Sequence, residues 1–406
     1  MIKEVNSISG DDFAKIREGW RGWAGGGAIE LDLTSSASIE AWIAKYSGSY
    51  TRAATMDVDD FEGISRTAPI NIPAIYGARQ VSNLCLQSQD ISTTWITVTG
   101  DIIGPDVFQA TANWGHVSQS VASITGNSYT YSFTAYLYDT TGTHDVIFRH
   151  YYSLSGNNTE CTINATPTRY SVTVLGAEDD NSINFGLRDK SDTHPKMVFT
   201  DIQIEDVTGQ TNQNPSDHIA TTTAAVTKYY NTENGNTVSS NVVTEAAGAA
   251  LTNTIGLAYA PATPHDYHFT NTKLINSSKG SIYIEFEAQP DYATADGLVL
   301  LGNGDCEILC QDDVSGISFT DGTNETSGSV GVPSGVIKAV VVWSGTSVSI
   351  TTANGTTTGT YAENFGNATI YLGMNSTGTH FSGIEPKVDF YYNTALSQSA
   401  AEALIA

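Results

Sequence analysis

The sequence predicts an all-β protein built as two antiparallel β-sandwiches that follow a short helical segment. Residue composition is the first indication, because the 406 residues include 37 Gly and 20 Tyr but only 4 Met. Residues that favour helices are scarce relative to β-branched and turn-forming residues. The second indication is a repeated alternation of apolar and polar residues, in short runs bounded by turn clusters. Helical spacing occurs in only two short places, one near each end of the chain.

The first helical pattern lies near the N-terminus, where four large apolar side chains recur at spacings of three and four. They are Phe13, Ile16, Trp20 and Trp23. A glycine run at 25–27 follows, and an aromatic amphipathic helix with such a hinge suits docking onto another protein. Folding back onto the first sandwich is the alternative. We predict that residues 1–85 anchor the chain to partner proteins through these four residues.

The first sandwich is predicted over residues 86–230. Residues 129–138 alternate, so that one face is apolar and the other carries polar and tyrosine side chains. The apolar face holds Tyr129, Tyr131, Phe133, Ala135 and Leu137. A second alternating run covers 145–154, and turn clusters at 139–142 and 155–158 bound these runs. Five or more short strands at this spacing indicate a sandwich.

The second half of the chain repeats this character. A polar stretch at 231–254 is typical of a linker, and a second sandwich is predicted over 255–406. Its clearest alternation lies at 281–287. The side chains on its apolar face are Ile282, Ile284 and Phe286. The Asn354-Gly355 pair predicts a tight hairpin, and the second helical pattern covers residues 397–405.

The charge of the chain argues against several classes of partner. Its 43 acidic residues against 18 Lys and Arg give a formal net charge of −25 at pH 7. Such a chain repels the phosphates of nucleic acids and the surface of anionic membranes. No run approaches the roughly 20 apolar residues that cross a bilayer. The first residues also lack the pattern of a secretory signal. We therefore expect no nucleic-acid partner and no membrane insertion.

Three motifs between residues 49 and 95 resemble the leader of tailed-bacteriophage fibre and structural proteins. They are Ser49-Tyr-Thr-Arg-Ala-Ala-Thr55, Gly63-Ile-Ser-Arg-Thr-Ala68 and Asn83-Leu-Cys-Leu-Gln-Ser-Gln-Asp90, with Trp95 after them. Cys85 and Ile91 replace the Leu and Phe of that leader. The segment that follows, with a closing strand at 201–205 and an exit at 216–227, resembles the carbohydrate-binding-module-like jelly rolls of phage fibres. This resemblance covers about residues 49–230.

A second resemblance covers about residues 255–406. The runs 339–348, 370–374 and 388–402 resemble concanavalin A-like and laminin G-like sandwiches. Thr394 stands where Arg is frequent in that family, so a contact made by that Arg is not expected here. Together the two resemblances imply a virion protein that is usually a homo-oligomer, often a trimer. The implied partners are other virion proteins and the host cell-surface polysaccharide.

The sequence lacks a pattern that indicates catalysis. No Gly-x-Ser-x-Gly elbow separates a strand from a helix, and His265 with His268 lacks a third ligand at metal spacing. We therefore predict no enzyme activity and no cofactor. Structural calcium is an alternative, because Glu178-Asp-Asp180 and Asp312-Asp313 offer oxygen ligands. Solvated acidic loops are the competing interpretation of these two runs.

A glycan-binding face is predicted on the outer side of the first sandwich. Sugar rings stack on aromatic side chains, while neighbouring polar groups bond the sugar hydroxyls. The residues expected there are Tyr136, Tyr138, Arg149, Tyr151, Arg188 and Gln203. A subunit interface favours the same mixture of Tyr and Arg and is the alternative. Trp114 is interpreted as a core residue, with a loop rim as the second option.

These observations predict a bacteriophage virion protein, displayed as a tail or head fibre or spike. It is expected to be located in the virion and to bind host surface glycan weakly, gaining avidity from several copies. A purely structural decoration, collar or tail component is the first alternative. A glycan-active enzyme is the second alternative.

Overall fold

The structure is a computed structural model of the chain. It describes residues 28–151, 158–175, 182–190, 193–239, 241–244, 248–251, 253–259, 265–270, 274–288, 298–303, 306–310, 316–329, 335–362, 365, 369–374 and 383–406. The described residues form two compact units. The inserted unit comprises residues 61–64 and 79–252, and the discontinuous unit comprises 28–60, 65–78 and 253–406.

The elements follow one another in chain order. The first part of the discontinuous unit contains β1 (Ile29–Asp32), α1 (Ser36–Lys45), β2 (Ser49–Arg52), β3 (Met56–Asp59), β4 (Ser65–Ala68) and β5 (Ile75–Tyr76). The inserted unit contains β6 (Arg79–Asn83), β7 (Ile96–Val98), β8 (Gly100–Ile102), β9 (Val107–Ala110), β10 (His116–Ala122), β11 (Ser128–Leu137), β12 (Thr143–Tyr151), β13 (Asn158–Asn164), β14 (Thr168–Leu175), β15 (Ser182–Asp189), β16 (Lys196–Asp206), β17 (Val226–Tyr230), β18 (Thr237–Ser239) and β19 (Val242–Thr244).

The remaining elements complete the discontinuous unit. They are β20 (Gly256–Tyr259), β21 (His265–Thr270), β22 (Lys279–Ala288), β23 (Leu298–Asn303), β24 (Cys306–Cys310), β25 (Gly316–Thr320), β26 (Glu325–Ser329), β27 (Ile337–Ser344), β28 (Ser347–Thr352), β29 (Gly355–Thr360), β30 (Thr369–Leu372), β31 (Gly383–Tyr392) and α2 (Gln398–Ile405). Neither described helix has the length and hydrophobicity that a membrane span requires.

The inserted unit is a jelly roll. Its five-stranded sheet has the order β13-β12-β15-β10-β7, and its seven-stranded sheet has the order β18-β19-β14-β11-β16-β9-β8. From β9 to β16 the chain passes repeatedly between the two sheets, with β9, β11, β14 and β16 in one and β10, β12, β13 and β15 in the other. This arrangement is the eight-stranded double Greek key of a jelly roll.

The core of the inserted unit lies between its two sheets. All five apolar positions predicted from the alternation of β11 are buried there, and Cys85, Ile91 and Trp95 join them. The ring of Phe133 lies 4.9 Å from that of Phe148 on β12 and 5.7 Å from that of Tyr170 on β14. Contacts of this kind fill the space between the facing sheets and add to the energy of apolar burial.

The discontinuous unit is a second antiparallel sandwich. One sheet has the order β29-β28-β27-β22-β31-β20-β5 with β1 beside β31, and the other has the order β2-β21-β30-β23-β24-β25-β26. Trp42 of α1 contacts both sheets, with its ring 5.7 Å from Phe269 and 6.3 Å from Phe390. The predicted fold class, all-β with two antiparallel sandwiches, is therefore confirmed.

Local predictions in the second half also match the structure. Ile282, Ile284 and Phe286 of β22 are buried. The Asn-Gly hairpin joins β28 to β29, with Gly355 at a φ of 121° that favours glycine. The tail helix α2 begins after Ser397, whose side chain accepts a hydrogen bond from the Ala400 N–H.

The unit boundaries differ from the predicted division into 1–85, 86–230, 231–254 and 255–406. β1 pairs with the last strand, placing Leu31 opposite Val388, and residues 28–60 and 65–78 of the expected anchor belong to the second sandwich. The expected linker contributes β18 and β19 to the seven-stranded sheet, where Val242 pairs with Tyr170. Polar Thr- and Asn-rich segments can pair along a sheet edge because the backbone supplies the hydrogen bonds.

Several predicted positions lie outside the described residues. They are the anchoring residues Phe13, Ile16, Trp20 and Trp23 and the acidic runs Glu178-Asp-Asp180 and Asp312-Asp313. Among the described residues, no group of three or more His, Cys, Asp and Glu side chains is arranged to hold a metal ion. The four cysteines are buried and free of disulfides.

Candidate functional site

The predicted glycan-binding residues do not share one face. The seven-stranded sheet carries Tyr136 on β11, Tyr138 directly after β11, and Gln203 on β16. The five-stranded sheet carries Arg149 and Tyr151 on β12, and Arg188 on β15. The prediction placed β11 and β12 side by side because they are consecutive. In this jelly roll β11 and β12 lie in opposite sheets, so the expected single face is wrong.

Gln203 was predicted to face a ligand, but it is part of a buried polar network. Its side-chain Nε2 donates to Glu205 Oε1 at 2.7 Å and to Ser216 Oγ at 2.9 Å, and its Oε1 accepts from the Ile219 N–H at 2.6 Å. Gln203 and Glu205 are both buried. Burial raises the pKa of Glu205, while hydrogen bonds from Gln203 and Ser216 and the charge of Arg79 oppose the shift. Gln203 is therefore inaccessible to a ligand.

A cleft opens at one end of the jelly roll, where the turn after β11 approaches the segment before β16. Its volume is ≈ 430 Å³, within the range of small-molecule sites. We call it the end cleft. It is lined by Gln109, Leu137, Asp139, Thr140, Thr141, Thr143, His144, Thr193, His194, Pro195 and Lys196. Hydroxyl, imidazole, carboxylate and ammonium groups thus converge on one small volume.

Two histidines of the end cleft are held by one buried carboxylate. His144 Nε2 lies 2.8 Å from Asp189 Oδ1, and His194 Nδ1 lies 2.8 Å from Asp189 Oδ2. Asp189 is fully buried at the end of β15. Gln109 Nε2 donates to the His194 carbonyl at 2.9 Å and fixes the same segment. The imidazoles are therefore oriented before any ligand arrives, as preorganised sites require.

The rim of the end cleft carries an aromatic side chain and an ion pair. Tyr138 follows β11 directly and is 56% exposed. Lys196 Nζ lies 5.9 Å from the centre of the Tyr138 ring and 3.0 Å from Asp139 Oδ2. An exposed ring beside fixed charged groups can stack on an apolar surface while the charges bond polar substituents. Tyr136, two residues earlier on β11, is partly exposed.

The end of β15 also supports a second exposed aromatic residue. Trp114 is 48% exposed, so its interpretation as a core residue is wrong and the loop-rim option holds. Its N–H donates to the Asp189 carbonyl at 3.2 Å, and the Asp189 N–H donates to Gly115 at 3.0 Å. The Arg188 guanidinium lies 5.4 Å from the centre of the Trp114 ring. Arg149 lies on β12, two residues before that strand ends at Tyr151, and its backbone pairs with that of Gly186 on β15.

The sequence did not reveal the residues that organise the end cleft. In the sequence His144 stands beside a strand end with no visible partner, and no motif marks Asp189 or His194. Asp189 and His144 are 45 residues apart, and only the pairing of β12 with β15 brings their backbones together. No local spacing marks such a contact. The one signal in the sequence is the polar pair Arg188-Asp189, at which the alternating strand ends.

Comparison with known proteins finds similar chains among solved structures. No protein-family model matches the chain, and no curated protein matches it. Among solved structures, the chain is similar to the CBM22-1 xylan-binding domain from Paenibacillus barcinonensis, with 15% identity, a TM-score of 0.24, and coverage of 32% of this chain and 94% of that one.

Two other solved structures cover more of the chain. The LG4-5 domains of the mouse laminin alpha1 chain share 12% identity over 71% of this chain and 89% of that one, with a TM-score of 0.24. A tail fiber protein from an E. coli phage shares 10% identity over 90% of this chain and 41% of that one, with a TM-score of 0.18. The strand order of the inserted unit is that of a jelly roll.

Proposed function

We propose that the inserted unit binds a carbohydrate in the end cleft. The observation that carries the proposal is the exposed Tyr138 ring beside a cleft lined by hydroxyl and charged groups. Sugars need this combination, because their C–H faces stack on aromatic rings while their hydroxyls exchange hydrogen bonds with polar side chains. The jelly roll supplies a rigid frame for both.

Each group in the end cleft has a role in this proposal. Tyr138 stacks on one sugar ring, and the Asp139–Lys196 ion pair at the rim bonds its hydroxyls as acceptor and donor. The hydroxyls of Thr140, Thr141 and Thr193 provide further bonds within the cleft. His144 and His194 present their rings in orientations set by Asp189.

The proposal is binding without chemical conversion of the sugar. Glycoside hydrolysis generally needs two carboxyl groups that reach the scissile bond. Asp189 is buried with both oxygens engaged by histidines, and Asp139 is paired with Lys196. Neither carboxylate is therefore disposed to act on a substrate.

The biological setting forms the finer part of the proposal. The leader motifs between residues 49 and 95 favour a bacteriophage fibre or spike in which several copies bind host surface polysaccharide. A homo-oligomer, often a trimer, would turn weak single-site binding into avidity. Residues 1–27, with Trp20 and Trp23, would attach the chain to the particle. Cryo-electron microscopy of the particle tests this setting: projecting density with free distal sandwiches supports it. Sandwiches enclosed between neighbouring proteins favour the purely structural alternative.

Affinity electrophoresis of the full chain tests carbohydrate binding. The gels contain purified bacterial surface polysaccharides, both neutral and uronic acid-containing, and we expect at least one to retard the wild-type protein. Tyr138→Ala should weaken that retardation about tenfold, which corresponds to about 1.4 kcal/mol. Tyr392→Ala removes another exposed ring (40% exposed), in the discontinuous unit, and should leave retardation unchanged. Absence of retardation with every polysaccharide, or full retardation of Tyr138→Ala, contradicts the proposal.

A further inference from the structure

We infer that Trp114 and Arg188 form a second binding position, distinct from the end cleft, for the carboxylate of a uronic acid residue in a glycan. Neither residue lines the end cleft. The second position would extend the proposed function from a sugar in general to an acidic sugar.

Trp114 is held in an exposed position by its backbone. Its φ of 69° lies in the left-handed region, which is strained for a residue with a side chain. Hydrogen bonds between residues 114–115 and Asp189 maintain this conformation. His116 Nδ1 lies 3.1 Å from the Trp114 carbonyl oxygen, within hydrogen-bond distance in the same turn. Strain that displays a large aromatic ring to solvent is typical of binding sites.

Arg188 is a cation without an acidic partner among the described residues. Its Nε is buried and donates to no described group, and its guanidinium packs against the Trp114 ring. Burial lowers the pKa of Arg188, and no carboxylate of the described residues offsets that shift. The chain carries 43 acidic residues against 18 basic ones, so an unneutralised arginine on its surface is unexpected.

The nearest acid in the sequence is already engaged elsewhere. Asp189 follows Arg188, but alternation along β15 directs the two side chains to opposite faces of the strand. Both Asp189 oxygens are bound by His144 and His194. The guanidinium therefore keeps its charge available on the outer face of the five-stranded sheet.

The pair matches the chemistry of a uronic acid. A guanidinium offers a planar fork of N–H donors that binds a carboxylate in bidentate fashion. The indole beside it offers an apolar surface for the C–H face of the ring that bears this carboxylate. Ile96 and Val98 on β7 are 61% and 42% exposed, and they pair with Ser118 and His116 on the adjoining strand β10. They extend the apolar surface on the Trp114 side of the sheet.

Equilibrium binding of the full chain to a short oligogalacturonate and to its carboxyl-reduced form tests the inference. The wild-type protein should bind the acidic form about tenfold more tightly than the reduced form. Arg188→Gln should abolish this preference, Arg188→Lys should restore part of it, and Trp114→Ala should weaken binding of both forms. Thermal melting of each variant verifies that it is folded, and Lys279→Gln, an exposed cation of the discontinuous unit, is the matched control.

Equal affinity of the wild-type protein for the acidic and the carboxyl-reduced oligosaccharide would overturn the inference. So would a preference for the acidic form that is unchanged in Arg188→Gln. Displacement of the oligosaccharide by inorganic phosphate but not by free glucuronate would also overturn it. Tyr138→Ala separates the inference from the proposed function. A loss of neutral sugar binding in that variant with the carboxylate preference intact supports two positions. A carboxylate preference that disappears in Tyr138→Ala contradicts a separate site at Arg188.

Discussion

Asp189 Oδ1 lies 2.8 Å from His144 Nε2, and the other oxygen of the same carboxylate lies equally close to His194 Nδ1. One fully buried acid thus links strand β15 to two side chains of the end cleft. The backbone of the same residue bonds to Trp114 and Gly115. Asp189 therefore connects the two positions at which we propose that sugars bind.

Replacement of Asp189 should destabilise the inserted unit. Asp189→Asn replaces one acceptor oxygen by an amide N–H donor, so the imidazole nitrogen that faces it loses its acceptor. A buried polar group without a partner costs about 1–3 kcal/mol, and the free energy of unfolding should fall by that amount. Urea unfolding measures it. Asp145→Asn, an exposed carboxylate bonded to the Thr162 hydroxyl, is the control and should change stability little. Equal unfolding midpoints for the two variants would refute the role of Asp189.

Gln203→Ala should reduce stability and leave sugar binding intact. The substitution removes an amide that bonds Glu205, Ser216 and the Ile219 N–H, all inside the protein. The expected loss in the free energy of unfolding is about 1–3 kcal/mol. Retardation by a polysaccharide that binds the wild-type protein should not change. A selective loss of binding without a loss of stability would restore Gln203 as a ligand contact.

Gly115 should tolerate no side chain, because it brings the Trp114 turn against the preceding strands. A Cβ at this position would lie 2.1 Å from the Thr99 carbonyl oxygen and 2.8 Å from the Ala110 Cβ. Gly115→Ala should therefore lower the free energy of unfolding by about 1–3 kcal/mol, the usual cost of overpacking.

Gly104→Ala is the matched control in the same unit. Its nearest neighbour would be the Val107 Cγ2 at 3.5 Å, an ordinary contact. Thermal unfolding of the two variants should show a lower midpoint for Gly115→Ala alone. A midpoint for Gly115→Ala that equals that of Gly104→Ala would contradict the tight approach.

Glu385 should make the stability of the discontinuous unit fall with rising pH. The side chain is fully buried, and Tyr259 Oη donates to its Oε2 at 2.7 Å. Burial raises the pKa of this carboxyl from 4.5 to about 8, with the Tyr259 hydrogen bond opposing the shift. The folded state thus holds the proton more tightly than the unfolded state. Between these values the free energy of unfolding should fall by up to about 1.4 kcal/mol per pH unit.

Glu385→Gln should remove this slope, because the amide does not titrate. Urea unfolding above pH 6 is the informative measurement, since burial also raises the pKa of Asp389, to about 6, and its contribution is largely complete there. Glu402→Gln, on the exposed side of α2, should retain the wild-type slope. A wild-type protein with constant stability between pH 6 and 8 would show that Glu385 is ionised in the fold.

Much of the fold could be predicted because its signals are local. The alternation of β11 placed Tyr131 and Phe133 in the core, since neighbouring side chains on a strand point to opposite faces. The hairpin at Gly355 and the capping of α2 by Ser397 likewise depend on a few adjacent residues. Helix α1 was not predicted: its ten residues bury only two large apolar side chains, Ile39 and Trp42, too few to establish a helical period.

The site could be predicted only in part because it depends on contacts distant in sequence. Alternation does not reveal which sheet a strand joins. For this reason Tyr138 and Arg188, which belong to different sheets, were predicted to share one face. The pairing of β1 with β31 joins residues at opposite ends of the chain, and no local pattern encodes it. The burial of Gln203 likewise follows from the later segment that contains Ser216 and Ile219.

Hydrogen–deuterium exchange of the full chain, with and without a polysaccharide that retards it in gels, tests the central claim most directly. If the end cleft is the binding site, protection should appear in peptides that cover residues 138–144 and 193–196. Peptides of β27 and β28 in the discontinuous unit should exchange unchanged. Protection confined to the discontinuous unit, or a bound polysaccharide without protection at 138–144, would contradict a carbohydrate site in the end cleft.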